Sequence, residues 1–259
     1  MKFTLFALLF LIPMLVLVTG FWDFVNKIIL PNTTWGLYGR DFFENLLVEI
    51  HGAVFDLIIV GVVLYWLEQR RNKKTDLKGL RQDLEDLRFY CGDDVSYITY
   101  GKLKRLISLA GNSVSIPEAK LNSLDIKDLN LKSSNITAAV FIGSRLNSPL
   151  FTDVKADAAN FIDAKIQHAT FCNVSFRRAK FINAQLKGVD FRHCRIEGSD
   201  FTNAKLQSAI FNGVNCKGVS FKGANLRSTN FKNATNLTRE MLLEAESVAY
   251  VKLPKGLTI

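Results

Sequence analysis

Three patterns of apolar residues follow one another along the chain. The first is an unbroken apolar run. Phe3 to Trp22 holds twenty residues without a charge. At about 1.5 Å per helical residue it is long enough for a hydrocarbon layer of about 30 Å. Pro13 inside it is compatible with a membrane helix. Residues 1–22 therefore read as a first transmembrane helix, or as a signal peptide cleaved after Val18-Thr19-Gly20. Residues 23–45 form the loop that follows. A second run, Leu46 to Leu67, closes with Tyr65 and Trp66 at an expected interface and predicts a second span over 46–67.

The second pattern has helical spacing. Leu77, Leu80, Leu84 and Leu87 recur every three or four residues among charges. This predicts an amphipathic helix within a connector over 68–115. The leucine stripe either packs on its own domain or forms a short coiled-coil seam. Gly92-Asp93-Asp94 breaks the helix, and a second one is predicted from Ser96 to Ala110, stopped by Gly111.

The third pattern has a period of five. Every Phe after residue 90 falls in one phase: Phe141, Phe151, Phe161, Phe171, Phe176, Phe181, Phe191, Phe201, Phe211, Phe221 and Phe231. The remaining positions of that phase, from Ile116 through Leu226, are Ile, Leu, Ala or Cys, and the phase fails at Asn236. A small residue stands two positions before each, as at Ala159, Ala179 and Ala204. Gly or Asn is frequent two positions after, as at Asn183, Gly188 and Gly213. Gly and Asn there suit a turn that needs φ > 0.

Five fits neither a helix nor a plain strand. A bend in every repeat closes a square after four, so one coil takes about twenty residues. Coils hydrogen-bonded at about 4.8 Å make six turns some 29 Å long over 116–236. The large and the small residue point inward. The Phe recur every ten residues, so they line two opposite sides of the core. Phe176 is the exception, one coil above the undersized Ala156.

Charge and composition add orientation and remove chemistry. The chain carries 33 Lys+Arg against 24 Asp+Glu. Six cations and one acid lie between Arg70 and Arg81, including Arg70, Arg71, Lys73 and Lys74. The positive-inside bias puts everything after the second span in the cytoplasm. These four residues are candidate contacts for anionic lipid or an acidic partner. Glu49 and Asp56, seven residues apart on one helix face, form a candidate intramembrane polar site that glues helices or serves a function. The histidines and cysteines form no metal-binding pair, and no nucleotide-binding loop is present. Catalytic residues, cofactor and metal are therefore not expected.

The motif of a small residue, a polar residue, Leu or Phe, any residue, then Gly or Asn, as in AKFINAQLKGVDF, resembles the pentapeptide repeat proteins. The resemblance implies an all-β solenoid, a right-handed quadrilateral β-helix over 116–236. The tail over 237–259, with Thr238 as an N-cap, resembles the helix that closes the rod in bacterial members. The front part resembles a membrane-anchored bacterial subgroup. Members that bind DNA gyrase present an acidic rod, whereas residues 116–236 carry 17 Lys+Arg against 9 Asp+Glu, the wrong sign for imitating phosphates. The expectation is a non-catalytic scaffold rod at a bacterial inner membrane, its β-helix in the cytoplasm and its partner an unidentified protein. A homo-oligomer stays open. The alternatives are a regulatory subunit of a transporter or channel acting through the spans, and a nucleic-acid or gyrase binder.

Overall fold

In the computed structural model, the described residues are 40–92 and 94–258, with 13, 14, 17, 20, 21, 24, 27 and 28 before them. The expected first span, 1–22, lies for the most part outside them. The chain divides into two compact units, Met1–Lys74 and Thr75–Ile259.

Helix α1, Arg40–Asp86, begins six residues before the expected second span. Asp41 lies in its first turn, where a carboxylate complements the helix dipole. Among the described residues one helix, not two, is long and apolar enough to cross a membrane, by length and composition. Its apolar side chains are largely uncovered, among them Phe55, Leu57, Ile59, Val62 and Trp66.

In the second unit, α1 ends in the leucine stripe. Leu80 and Leu84 are buried, Leu77 packs beside them, and all three join the same apolar core as Val114, Ile116 and Leu121. The stripe thus packs on its own domain. Helix α2, Val95–Ala110, contributes Leu103 and Leu106 to that core and stops at Gly111, whose φ is +82°. Lys102 Nζ meets Asp83 Oδ2 at 2.6 Å and clamps α2 to the end of α1. Ser96 Oγ accepts the Asn122 backbone N–H at 3.0 Å, so α2 also satisfies a donor of the first coil.

The solenoid follows. Its short strands are β1 (Asp125–Lys127), β2 (Asn130–Lys132), β3 (Arg145–Asn147), β4 (Leu150–Thr152), β5 (Lys165–Gln167), β6 (Thr170–Cys172), β7 (Val174–Ser175) and β8 (Cys194–Arg195). They pair in parallel as β1-β3-β5, β2-β4-β6 and β7-β8, always with partners twenty residues apart, as Ile126 with Leu146. Isolated bridges extend the same register on four sides, from Ser115↔Asn135 to Asn215↔Thr235. All large positions of the five-residue phase from Ile116 to Phe231 are buried.

Two Phe ladders run through the core. In one, Phe141, Phe161, Phe181 and Phe201 stack with centroids 4.9, 5.0 and 4.9 Å apart and planes within 6°. In the other, Phe191 and Phe211 are equally parallel, at 4.9 Å and 9°. Phe176 wedges between the ladders, edge-on to Phe171 at 5.1 Å and to Phe181 at 5.4 Å. Beside it Phe171 is tilted by 36° from Phe151 and by 44° from Phe191. The extra ring takes the space that Ala156 leaves one coil below, and the neighbouring stack bends around it.

The corners carry the backbone cost of the bends. From Glu118 to Asn233 every fifth residue has a positive φ, broken at His193. Gly fills some of these places, but Arg178, Ala138 and Ala158 adopt the same left-handed conformation at φ 56°. The far end is closed by helix α3, Arg239–Leu243, capped by Thr238 Oγ1 accepting from Met241 N–H at 3.4 Å. Leu242 is buried against the last coil. The tail then continues the ladder: Leu226, Ser228 and Phe231 donate backbone N–H groups to Ser247, Ala249 and Lys252 at 2.8 Å. An open edge that would template further strands is thereby paired.

Candidate interaction surfaces

With large and small positions turned inward, three residues of each repeat face out, and stacking puts residues twenty apart into columns. The four sides are named here by their inward residues: side 1 (Ile116 to Cys216), side 2 (Leu121 to Phe221), side 3 (Ile126 to Leu226) and side 4 (Leu131 to Phe231). Their outward chemistry differs although their backbones repeat.

Side 1 alternates in sign. Its column Asp157, Arg177, Glu197, Lys217 places opposite charges in successive coils. Arg177 Nε reaches Glu197 Oε2 at 3.3 Å. An open polar groove of about 580 Å³ lies between this side and the end of α1, lined by Arg81, Glu85, Arg88, Ser113, Ser133 and Asn135 among others. A smaller one of about 330 Å³ is lined by Asp153, Lys155, Asp157 and Arg177 among others. The core itself is filled, and the grooves lie outside it. Their lining mixes both charges with hydroxyls and amides.

Side 2 carries apolar residues where the fold requires none. Ile142, Ile162 and Ile182 stack in one outward column, half-buried, with Val140 beside them. Lys180 pairs with Asp200 as a bridge partner, and Asn183 Nδ2 donates to Asp163 Oδ1 at 3.0 Å. Side 4 has Lys132 and Lys232 in its first and last coils and holds a local pair, Asp190 with Arg192 at 2.6 Å. Partial burial opposes it, but hydrogen bonds from Arg192 hold the Asp190 carboxyl below its ordinary value.

Side 3 is different again. Above the first coil its outward positions hold Arg145, Lys165, Lys187, Lys205 and Arg227, and no Asp or Glu. Lys217, Lys222, Arg227 and Lys232 circle the last coil, one per side. Sorting the charges with a period of twenty, rather than five, separates this side from the rest.

The other sequence candidates fall as follows. All ten ladder residues are buried, from Phe141 to Phe231. Arg70, Arg71, Lys73 and Lys74 are exposed on α1, with the Arg70 guanidinium 5.3 Å from the Trp66 ring centroid. Glu49 and Asp56 are exposed on α1, whereas Val54 is the buried position of that stretch. Cys194 and Cys216 point inward, and burial pushes both thiols up to about 12. A thiol held neutral is a poor nucleophile. Cys91 and Cys172 are exposed. Among the described residues no group of His, Cys, Asp or Glu is placed to hold a metal ion.

Residues 141–201 match the pentapeptide repeat region, and residues 181–225 match pentapeptide repeats (9 copies). Over residues 141–225 the solenoid thus carries the repeats of the pentapeptide repeat family. Solved structures similar to it include QnrB1, a plasmid-mediated fluoroquinolone resistance protein, at 16% identity over 56% of this chain and 83% of that one, with a TM-score of 0.33. Rfr23 from the cyanobacterium Cyanothece 51142 is 15% identical over 54% and 90%, with a TM-score of 0.25. HetL, a protein involved in heterocyst differentiation regulation in Nostoc sp. strain PCC 7120, is 13% identical over 60% and 92%, with a TM-score of 0.22. No curated protein matches the chain.

Proposed function

We propose that this protein is a non-catalytic interaction rod anchored in a bacterial inner membrane by α1, with the solenoid on the cytoplasmic side presenting side 2 to a protein partner. The observation that carries this reading is the outward column Ile142, Ile162, Ile182. A solenoid side is soluble and stable with polar residues there, as Thr202 and Lys222 of the same column illustrate. Stacked β-branched side chains on a flat strand surface give a partner a preformed apolar stripe, with little ordering cost on the rod's part. Anchoring is supported by the uncovered apolar surface of α1 and by the basic run from Arg70 to Arg81 that follows it.

A photo-crosslinking residue placed at Ile162 in native membranes tests the reading. One discrete protein adduct is expected, weakened when Ile142 and Ile182 are both changed to Asn. An equal yield of the same adduct from a probe at Gln207, on side 3, would contradict it.

A further inference from the structure

We infer that side 3 of the solenoid is a docking face for an anionic lipid surface. This rests on the anchoring reading above and extends it to a second contact with the bilayer.

Arg145 and Lys165 are direct Cα partners in the parallel pair β3-β5. Like charges directly opposite one another across strands are destabilising. On side 1 the ion pair Arg177–Glu197 joins successive coils, and on side 2 Lys180 stands directly opposite Asp200. Side 3 keeps the repulsive choice and adds Lys187, Lys205 and Arg227 in the coils above, with amides and hydroxyls between them: Asn147, Gln167, Gln185, Gln207 and Ser228. The acids at its borders stand at the ends or are engaged. Asp125 and Asp128 belong to the first coil, Glu246 to the tail above the last one, and Asp163 at the corner with side 2 accepts from Asn183. Arg145 and Lys165 are directly opposed and the three further cations stand on the same side without an acid between them, a positive field that an external anion relieves.

The shape then selects among anions. The cations occupy two adjacent columns on a flat β surface, at coil steps of about 4.8 Å, so they form a grid rather than a curved track. One outward aromatic, Tyr250 of the tail, lies 5.7 Å from the Arg227 guanidinium at the far end; none stands among Arg145, Lys165, Lys187 and Lys205 for a run of bases to stack on, and no helix projects from this side to enter a groove. A plane of anionic headgroups meets such a grid with all cations at once. Anchoring by α1 would hold the rod near that plane, which raises its effective concentration without any new contact.

Lysine acylation read by mass spectrometry tests this on the full chain in nanodiscs of zwitterionic or anionic lipid. Lys165, Lys187 and Lys205 are expected to react about fivefold more slowly in the anionic discs, and to recover at about 1 M salt, where screening is short-ranged. Lys155, Lys180 and Lys222 on the other sides should not change. Combining Lys165→Glu with Lys205→Glu should abolish the protection of Lys187. Equal reactivity in the two discs overturns the proposal. Protection by added duplex DNA or RNA but not by anionic lipid reassigns the face and overturns it too. If the chain enters neither disc, the anchoring reading falls, and the same labelling ratios on chain mixed with anionic vesicles still decide the face.

Discussion

Sides 2 and 3 of the solenoid share one backbone rule and differ in what they present. Both bury a large residue every twenty positions, Phe above Leu121 on side 2 and Leu or Ile on side 3, and both bond each coil to the next. Outward, side 2 stacks isoleucines and balanced charges, whereas side 3 stacks cations on polar residues. The inward pattern is demanded by packing, since a ladder of rings tolerates little change of volume. The outward pattern is under no such demand. Departures from what a solvated surface needs, an apolar column on one side and like charges on the other, therefore point to partners rather than to folding.

The largest expected effects lie inward. Phe181→Ala removes a ring that stacks on both neighbours and should cost about 3–5 kcal/mol in denaturant unfolding of the second unit's signal. Smaller effects come from hydroxyls that replace small apolar residues at inward positions. Ser144 Oγ accepts the Leu124 N–H at 3.1 Å, so Ser144→Ala orphans a buried donor and should cost about 1–3 kcal/mol. Ser199 Oγ only donates, to the Phe176 carbonyl at 2.6 Å, and Ser199→Ala should cost about 1 kcal/mol. Finding the two equal would show that the orphaned amide at Leu124 is served otherwise.

At the corners the sign reverses. Ala158 holds φ 56°, where an L-residue costs about 1–2 kcal/mol, while a glycine gives back about 0.5–1 kcal/mol through the unfolded chain. Ala158→Gly should therefore stabilise by up to about 1 kcal/mol, read as a rise in Tm. The smallest expected change is in chemistry alone. With native protein near neutral pH, a thiol reagent should modify Cys91 and Cys172 and spare Cys194 and Cys216, whose thiols burial holds neutral. Modification of Cys194 at the rate of Cys172 would mean that the wall at His193, where the positive-φ series breaks, opens readily.

Much of this architecture was legible as a period. One five-residue phase named all the buried large positions from Ile116 to Phe231, because stacking in register admits one kind of residue per column. The tilt imposed by Phe176 was legible only as an oddity of spacing. Its consequence for Phe171 needs the positions of rings in three coils. The closure of the entry end by Leu80, Leu84, Leu103 and Leu106 was legible as one of two readings, since a leucine stripe at helical spacing also serves a coiled coil. The surfaces were the least legible. Their meaning lies in residues twenty apart, and local motifs do not register that distance.

The most direct test sets two adjacent residues against each other. Phe161 points into the core and Ile162 points out of side 2. In full-length protein, unfolding stability and the crosslink at side 2 are measured for Phe161→Ala and for Ile162→Asn, with the probe moved to Ile142. Phe161→Ala should lose about 3–5 kcal/mol, while Ile162→Asn should stay within about 0.5 kcal/mol of the parent and lose the partner adduct. An Ile162→Asn protein that keeps its adduct, or that unfolds as readily as Phe161→Ala, would contradict the division between an inward face that folds the rod and an outward face that uses it.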